Sequence, residues 1–196
     1  MGYSIDPISA NCYPDTTVLI NKFDIRDEEK LNEIESVISS TRYAEWLNSP
    51  QIATFDFDHY KSIHHYLFSD LYDWAGEIRK VNISKKGTQF TPAEIIEDQA
   101  SRIFKRLKER NYFKNLPHSE FIEEIVDFYC ITNELHPFRE GNGRTQRVFL
   151  TQLIRNAGYE INFADIDTDL LMIATIQSAQ GITDLLTRIF SESILA

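Results

Sequence analysis

The sequence predicts an all-α protein that carries one β-hairpin. Apolar residues recur at helical spacing along most of the chain, as at Leu31, Ile34 and Ile38 in its first helix. One stretch departs from this period, because Val81 and Ile83 alternate with polar residues before a Lys-Lys-Gly turn, a pattern typical of a strand entering a hairpin. Neither an internal repeat nor a low-complexity linker is visible, so we expect a single domain over residues 1–196.

Seven helices are predicted, and breaking or capping residues mark several of their ends. Pro50 stops the first helix, which has Leu31, Ile34, Val37 and Ile38 as its apolar stripe. Gly76 terminates the second, and the third opens with the capping box Thr91-Pro92-Ala93-Glu94. Residues 1–26 lack a clear period and are expected to form an irregular leader. The predicted helices span approximately residues 27–48, 58–74, 92–110, 119–135, 143–157, 168–177 and 183–194.

The composition is that of a globular protein with a strongly acidic balance. Hydrophobic residues make up 42% of the chain and charged residues 26%, which argues against disorder. The 20 Lys and Arg residues against 30 Asp and Glu residues leave a net charge of −10. Such a surface repels phosphate backbones, so general nucleic-acid binding is disfavoured and any nucleotide site must be local.

The sequence carries no signal for a disulfide scaffold, for secretion or for a membrane span. Cys12 and Cys130 are too few for a disulfide framework and lack metal-ligand spacing. The N-terminus has no basic region followed by an apolar run, and no apolar stretch is long enough to cross a bilayer. A cytoplasmic protein without membrane partners is therefore expected.

The segment from His136 to Arg147 is the most informative part of the sequence. Pro137 disfavours helical backbone at His136 and so ends the preceding helix. Gly141 and Gly143 permit a sharp turn directly before the next helix, whose first N–H groups lack intrahelical partners. Free amides in a glycine-rich turn at a helix N-terminus form an anion site suited to phosphate.

Charged side chains complete this predicted phosphate site. Arg144 and Arg147 lie on one helical face and supply positive charge to phosphate oxygens. Glu140 would repel phosphates unless a divalent cation lay between them, and Mg²⁺ is the usual choice. The segment therefore predicts a Mg–nucleotide site, at whose edge a neutral His136 can deprotonate an incoming hydroxyl.

A purely structural interpretation competes with this one. In it, the glycines only connect two helices, the arginines are solvated and the histidine caps a helix end. Short motifs often match by chance, but here a histidine, a glutamate, Gly-Asn-Gly and two arginines coincide in one loop-to-helix transition. This coincidence favours the functional interpretation.

The segment resembles the signature of the Fic family, His-x-Phe-x-(Asp/Glu)-Gly-Asn-Gly-Arg-x-x-Arg, and matches every defined position. Residues 63–76 also resemble the helix that precedes the family's hairpin "flap". The similarity implies a Fic (Fido) helical core over about residues 57–191, preceded by a leader and helix in residues 1–56. The leader resembles that of short bacterial members of the cell-filamentation type.

The resemblance implies a protein adenylyltransferase that moves AMP from Mg-ATP to a Ser, Thr or Tyr hydroxyl of a target protein. It makes His136 the general base, Phe138 the anchor of the loop and Glu140 the Mg²⁺ ligand. The phosphates of ATP would contact Gly141, Asn142, Gly143, Arg144 and Arg147. A flap would align the target backbone by strand addition, using Lys85, Lys86, Gly87, Thr88, Gln89 and Phe90.

Two other functions stay open. One is a related phosphoryl or nucleotidyl transferase, and the other is a Fic-like interaction module that has lost catalysis. Doc-type kinases of the family carry a bulkier residue in place of the second glycine, so Gly143 favours AMP transfer. The intact His136, Glu140 and Arg147 count against a catalytically silent module.

Regulation and partners are implied by the same resemblance. Many family members restrain themselves through Ser/Thr-x-x-x-Glu-Gly/Asn, whose glutamate pairs with the second motif arginine. The nearest match here is residues 41–46, in which Trp46 replaces the small final residue. We therefore expect a separate small antitoxin chain to present a glutamate to Arg147. A type II topoisomerase subunit is the target that the resemblance implies.

The remaining candidate residues are expected to be structural. His59, His64 and His65 lack a metal-binding pattern and are expected to pack or to lie at the surface. Arg139, at a variable position of the motif, is expected to face solvent, and Cys130 is expected to be a small buried hydrophobe.

Overall fold

The computed structural model describes residues 4–5, 11–48, 53–85 and 88–195. These residues contain seven α-helices: α1 (Glu28–Asn48), α2 (Phe57–Phe68), α3 (Ile96–Glu109), α4 (His118–Leu135), α5 (Asn142–Asn156), α6 (Thr168–Ser178) and α7 (Asp184–Ser193). They also contain three short strands, β1 (Ser4–Ile5), β2 (Ile83–Lys85) and β3 (Thr88–Gln89). The predicted all-α fold with one hairpin is confirmed. Within the described residues, none of the helices has the length and apolarity that a bilayer crossing requires.

The second helix is shorter than predicted. It ends at Phe68, because the N–H groups of Leu71 and Tyr72 both donate to the Phe68 carbonyl at 2.9 Å and reverse the chain. Leu71 and Tyr72 are thereby buried. Gly76, which has a φ of +86°, does not cap this helix but lets the returning chain pass against it, where a Cβ would lie 2.9 Å from that of His65.

The capping box predicted at Thr91 is wrong. The backbone N–H and hydroxyl of Thr91 donate to the carbonyl of Glu134, at 3.0 and 3.2 Å, so this residue attaches the end of the hairpin to α4. Helix α3 begins only at Ile96, after a 3-10 turn over Ala93–Ile95. The Thr91 side chain therefore bonds to α4, which attaches the hairpin, and does not cap α3.

The hairpin carries a third strand from the leader. Strand β2 lies between β1 and β3, and both pairings are antiparallel. Ile5 pairs with Ile83 on one side of β2, and Thr88 pairs with Lys85 on the other. Lys86 and Gly87, predicted to form the turn, lie outside the described residues. One edge of β2 is thus occupied by the chain's own leader.

Helix α5 passes through the centre of the core. Its residues Val148, Phe149 and Leu150 have no exposed surface, and the ring of Phe149 lies within 5.8 Å of the rings of Tyr60 and Phe128. Helices α2 and α4 pack on either flank of α5. Since such close-packed interiors resist displacement, the N-terminus of α5, where the predicted motif lies, is held rigidly.

Candidate active site

The loop between α4 and α5 is anchored by a stacked aromatic side chain. Phe138 is completely buried, between the ring of Tyr60, at 5.8 Å, and that of His64, at 3.8 Å. The expected role of Phe138 as the loop's anchor is therefore confirmed. The backbone is left-handed at His136 and at Gly141, with φ of +41° and +77°. A Cβ at Gly141 would lie 2.4 Å from the ring of Phe68, so this position requires glycine.

The side chain of Asn142 closes the loop. Its Oδ1 accepts from the Phe138 N–H and its Nδ2 donates to the Phe138 carbonyl, both at 2.8 Å. This amide is therefore held within the loop by two hydrogen bonds, and the backbone N–H of Asn142 is left for a ligand. The first bond of the helix runs from Thr145 N–H to the Gly141 carbonyl. Within the described part of the chain, the N–H groups of residues 142–144 have no acceptor, as an anion site requires.

His136 is held as a neutral imidazole. Its Nδ1 lies 3.1 Å from the Asn133 carbonyl, and since a carbonyl only accepts, Nδ1 carries the proton and Nε2 carries the lone pair. Burial is the main cause that lowers the pKa of His136 to about 3, and the nearby charges of Arg79 and Lys85 act in the same direction. A neutral ring whose Nε2 carries the lone pair is the protonation state in which a histidine can accept a proton.

Arg79 supports His136, although no sequence pattern marks it. This arginine is 4% exposed, and its Nε donates to the His136 carbonyl at 2.8 Å. Its Nη1 donates to the Val81 carbonyl at 2.8 Å, and its Nη2 donates to that of Thr91. The buried guanidinium thus joins the backbone of His136 to both ends of the hairpin.

Arg144 is paired with α1, which the sequence did not predict. Its Nη2 forms an ion pair with the carboxylate of Glu35, and its Nη1 donates to Ser39 Oγ at 2.8 Å. Glu35 and Ser39 face inward, whereas Ile34 and Val37 of the predicted apolar stripe are exposed. The predicted face of α1 is therefore wrong for those two residues, because the inner face meets the partly buried guanidinium of Arg144.

Glu140 and Arg147 differ in their partners. Oε1 of Glu140 accepts from the Gly141 N–H at 2.9 Å and lies 3.8 Å from Arg144 Nη2. Burial and then the charge of Glu35 raise the pKa of Glu140.

Arg147 forms no ion pair with any described residue, and burial lowers its pKa. Its Nη1 would lie 3.4 Å from a Cβ at position 143, so Gly143 leaves room for this guanidinium.

One cleft of about 350 Å³ brings these residues together. The motif contributes His136, Glu140, Gly141, Gly143, Arg144 and Arg147, and the hairpin contributes Lys85, Thr88 and Phe90. Gln89 and the side chain of Asn142 do not line it. Its opposite wall comes from α6, through Leu171, Met172, Thr175 and Ile176. Sequence reasoning missed this wall, because apolar residues at helical spacing look the same whether they line a cleft or a core.

The other sequence candidates have structural contacts. Arg139 is 3% exposed, so the expectation that it faces solvent is wrong, and its Nη2 donates to Cys12 Sγ at 3.5 Å. His64 is buried, as a packing histidine is expected to be. The described residues contain no group of three or more side chains suited to a metal. Cys130 is only partly buried, and burial raises the pKa of its thiol.

The fold and the cleft define a helical domain with a buried, neutral histidine beside a helix N-terminus whose first N–H groups have no acceptor among the described residues. The sequence profile of the Fic/DOC family matches residues 54–154. The chain is 38% identical over 177 residues to a Sinorhizobium fredii protein named "Probable protein adenylyltransferase y4lH", covering 90% of this chain and 89% of that one. It is 36% identical to protein adenylyltransferase VbhT of Bartonella schoenbuchensis over 92% of this chain and 38% of that protein.

Solved structures show the same fold. The BepC protein of Bartonella tribocorum, solved with bound AMPPNP, superposes with a TM-score of 0.87 at 28% identity, covering 94% of this chain and 95% of that one. The chain belongs to the Fic/DOC family. The family and the enzyme class that the sequence predicts, protein adenylyltransferase, are therefore confirmed.

Proposed function

We propose that this protein transfers AMP from Mg-ATP to a Ser, Thr or Tyr hydroxyl of a target protein. The observation that carries the proposal is the juxtaposition, in one cleft, of a neutral His136 and the N-terminus of α5 with Arg147. His136 can accept a proton, and the helix N-terminus together with Arg147 forms an anion site. Relatives named protein adenylyltransferase support the same reaction.

The cleft suits a nucleoside triphosphate in one orientation. The α- and β-phosphates accept from the N–H groups of residues 142–144, and the terminal phosphate pairs with Arg147, which has no acidic partner among the described residues. The purine ring of the nucleotide packs on the apolar wall formed by Leu171, Met172 and Ile176. This seating leaves the α-phosphate on the His136 side of the cleft.

Glu140 is the residue that would hold Mg²⁺. Its carboxylate lines the cleft and has a pKa raised by burial and by Glu35, so a cation beside it would offset a poorly compensated negative charge. Carboxylate and phosphate oxygens are the ligands that Mg²⁺ prefers. When bound, Mg²⁺ would neutralise charge on the phosphates and on the departing pyrophosphate.

His136 acts as the general base in the chemical step. Its Nε2 accepts the proton of the target hydroxyl as that oxygen bonds to the α-phosphorus. The bond between the α-phosphorus and the oxygen bridging to the β-phosphate breaks, and pyrophosphate leaves. The products are a phosphodiester between AMP and the side chain, pyrophosphate and a proton on His136. Arg79 holds the His136 carbonyl during this step.

The hairpin aligns the target. Because β1 occupies one edge of β2, an extended target segment joins the outer edge of β3. Thr88, Phe90 and Lys85 line the cleft next to His136, so a segment paired there would project a hydroxyl side chain toward the base.

A separate antitoxin chain restrains this activity. Glu45, the glutamate of the near-match to the inhibitory pattern, is held by Arg42 at 3.0 Å and by the hydroxyl of Tyr66 at 3.2 Å. A partner's glutamate would pair with Arg147 and compete with the terminal phosphate. If the chain alone were silent and Glu45→Ala activated it, inhibition would be internal and this part of the proposal would fail.

Labelled ATP tests the proposed reaction. The protein is incubated with Mg²⁺, a bacterial lysate or a purified type II topoisomerase, and ATP labelled at either the α- or the γ-phosphate. Protein labelling from the α-phosphate alone supports AMP transfer. Labelling from the γ-phosphate would indicate a kinase, and labelling from neither would indicate a binding module.

A further inference from the structure

A buried carboxylate lies behind the nucleotide cleft. Glu35 of α1 is 6% exposed. Its Oε1 pairs with Arg144 Nη2 and its Oε2 accepts from the hydroxyl of Tyr72. Burial and then the charge of Glu35 raise the pKa of the Tyr72 phenol, which keeps this donor protonated. The carboxylate is therefore fixed from two sides, one of which is a residue of the motif.

Three groups outside the motif hold the Arg144 guanidinium, in addition to Glu140, whose Oε1 lies 3.8 Å from Nη2. Glu35 binds Nη2, Ser39 binds Nη1 at 2.8 Å, and the ring of Phe68 lies under the guanidinium carbon at 4.7 Å. A guanidinium has further N–H donors in a rigid planar fork. Since Arg144 also lines the cleft, the donors not taken by α1 are available to a ligand there.

Stability alone does not explain this ion pair. The desolvation of the buried Glu35 carboxylate and the partly buried Arg144 guanidinium offsets much of their attraction, so such pairs often contribute little to folding. Helix α1 is also held by the buried side chains of Leu31 and Trp46 and by the Arg42–Asp70 ion pair, at 2.6 Å. The Glu35 carboxylate is thus not required to attach α1, and its contact with a cleft arginine points to the site.

We propose that Glu35 is a positioning residue for nucleotide binding, which orients Arg144 so that its guanidinium meets the phosphates. The inference rests on the proposed AMP transfer for the identity of the ligand. Glu35 acts through geometry, so a side chain of the same shape that still accepts from Arg144 retains most of the effect.

Calorimetric titration with Mg–AMPPNP tests the proposal. Glu35→Ala should weaken binding about tenfold or more, the loss expected for one charged hydrogen bond, whereas Glu35→Gln should stay within about threefold of the parent. Asp70→Ala is the matched control, because it removes the carboxylate that pairs with Arg42 of α1 without touching Arg144, and it should leave affinity unchanged. In steady-state AMP transfer, Glu35→Ala should raise KM for ATP and leave KM for the target unchanged.

Each other outcome has a defined meaning. Unchanged or tighter binding in Glu35→Ala overturns the inference, and tighter binding would show that Glu35 competes with the phosphates. Equal losses in Asp70→Ala and Glu35→Ala would assign the effect to α1 attachment and also overturn it. If Glu35→Ala does not fold, Ser39→Ala serves as the second test of the inference. We expect this variant to bind Mg–AMPPNP about threefold more weakly than the parent. Unchanged affinity would contradict the inference. Absence of binding by the parent protein would instead refute the proposed function.

Discussion

The ring of Phe90 lies face to face with the imidazole of His136, with centroids 3.7 Å apart and planes inclined by 13°. Phe90 follows the last strand of the hairpin, whereas His136 ends α4. The hairpin that is proposed to receive the target therefore also covers His136, the proposed base. Because burial is the main cause of the low pKa of His136, Phe90 links target alignment to the protonation of the base.

Phe90→Ala should move the acid limb of the pH–rate profile to higher pH. The proposed base works only when neutral, and with a pKa of about 3 it stays neutral at every pH well above that value. Exposure of the ring would raise this pKa toward the ordinary value of about 6.5, so the variant should lose activity as the pH falls through that value. Rates of AMP transfer from about pH 5 to 8 measure this, and the exposed Phe23→Ala is the control. A superimposable profile would show that Phe90 does not shield His136.

His136→Ala should abolish AMP transfer and leave ATP binding largely intact. A general base contributes about 10² to 10⁴ in rate, and a neutral imidazole contributes no charge to phosphate binding. Turnover on the target and calorimetric affinity for Mg–ATP are the two measurements. The control is His118→Ala, an exposed histidine at the opposite end of α4. If the His136→Ala variant kept the turnover of the parent, His136 would not be the general base.

Arg147→Ala should weaken nucleotide binding. Loss of one charged hydrogen bond costs about 1.5–3 kcal/mol, which corresponds to an affinity loss of about tenfold or more. Calorimetric titration with Mg–ATP measures it. Arg155→Ala changes an arginine of the same helix that pairs with Glu160 at the surface, and it should bind as the parent does. If both variants matched the parent, Arg147 would not contact the phosphates.

Glu140→Ala should raise the concentration of Mg²⁺ that half-maximal AMP transfer requires. The variant removes the carboxylate proposed to hold the cation, while the N–H groups of residues 142–144 still bind phosphate. A Mg²⁺ titration of the transfer rate at fixed ATP is the measurement, with the exposed Glu134→Ala as control. An unaltered Mg²⁺ dependence would mean that Glu140 is not the ligand.

Arg79→Lys should lower kcat without changing nucleotide affinity. A lysine keeps the charge but cannot reproduce the planar fork that bonds the carbonyls of His136, Val81 and Thr91. We expect kcat to fall about tenfold because His136 is misplaced, which corresponds to an activation free energy raised by about 1.4 kcal/mol. The Kd for Mg–ATP should be unchanged. The exposed Arg102→Lys is the matched control. Equal kcat values in the two variants would show that Arg79 does not position His136.

The helices were largely predictable because their signals are local. The observed α1, α4, α5, α6 and α7 begin and end within one residue of the predicted ranges. The errors occurred where tertiary contacts replaced local ones. Helix α2 ends early because Leu71 and Tyr72 bond back to Phe68, and Thr91 bonds to Glu134 instead of capping α3.

The motif was predictable for the same reason, since residues 136–147 follow one another along a single loop and helix turn. Its partners were not predictable, because they come from distant parts of the chain. Glu35 and Arg144 are 109 residues apart and Arg79 and His136 are 57 apart. No local pattern states that a glutamate on α1 faces inward, and the hydrophobic spacing of Ile34 and Val37 favoured a different face.

The sequence by itself determined the helical fold, the family and the residue types in the proposed phosphate-binding loop. These depend on hydrophobic period, on glycine and proline conformations, and on a contiguous motif, all of which act over a few residues. Only the tertiary structure decided the protonation state of His136, the partner of Arg144 and the apolar wall on α6. Each of these depends on burial and on charges brought close by folding, and burial is a property of the packed chain that no short stretch of sequence contains.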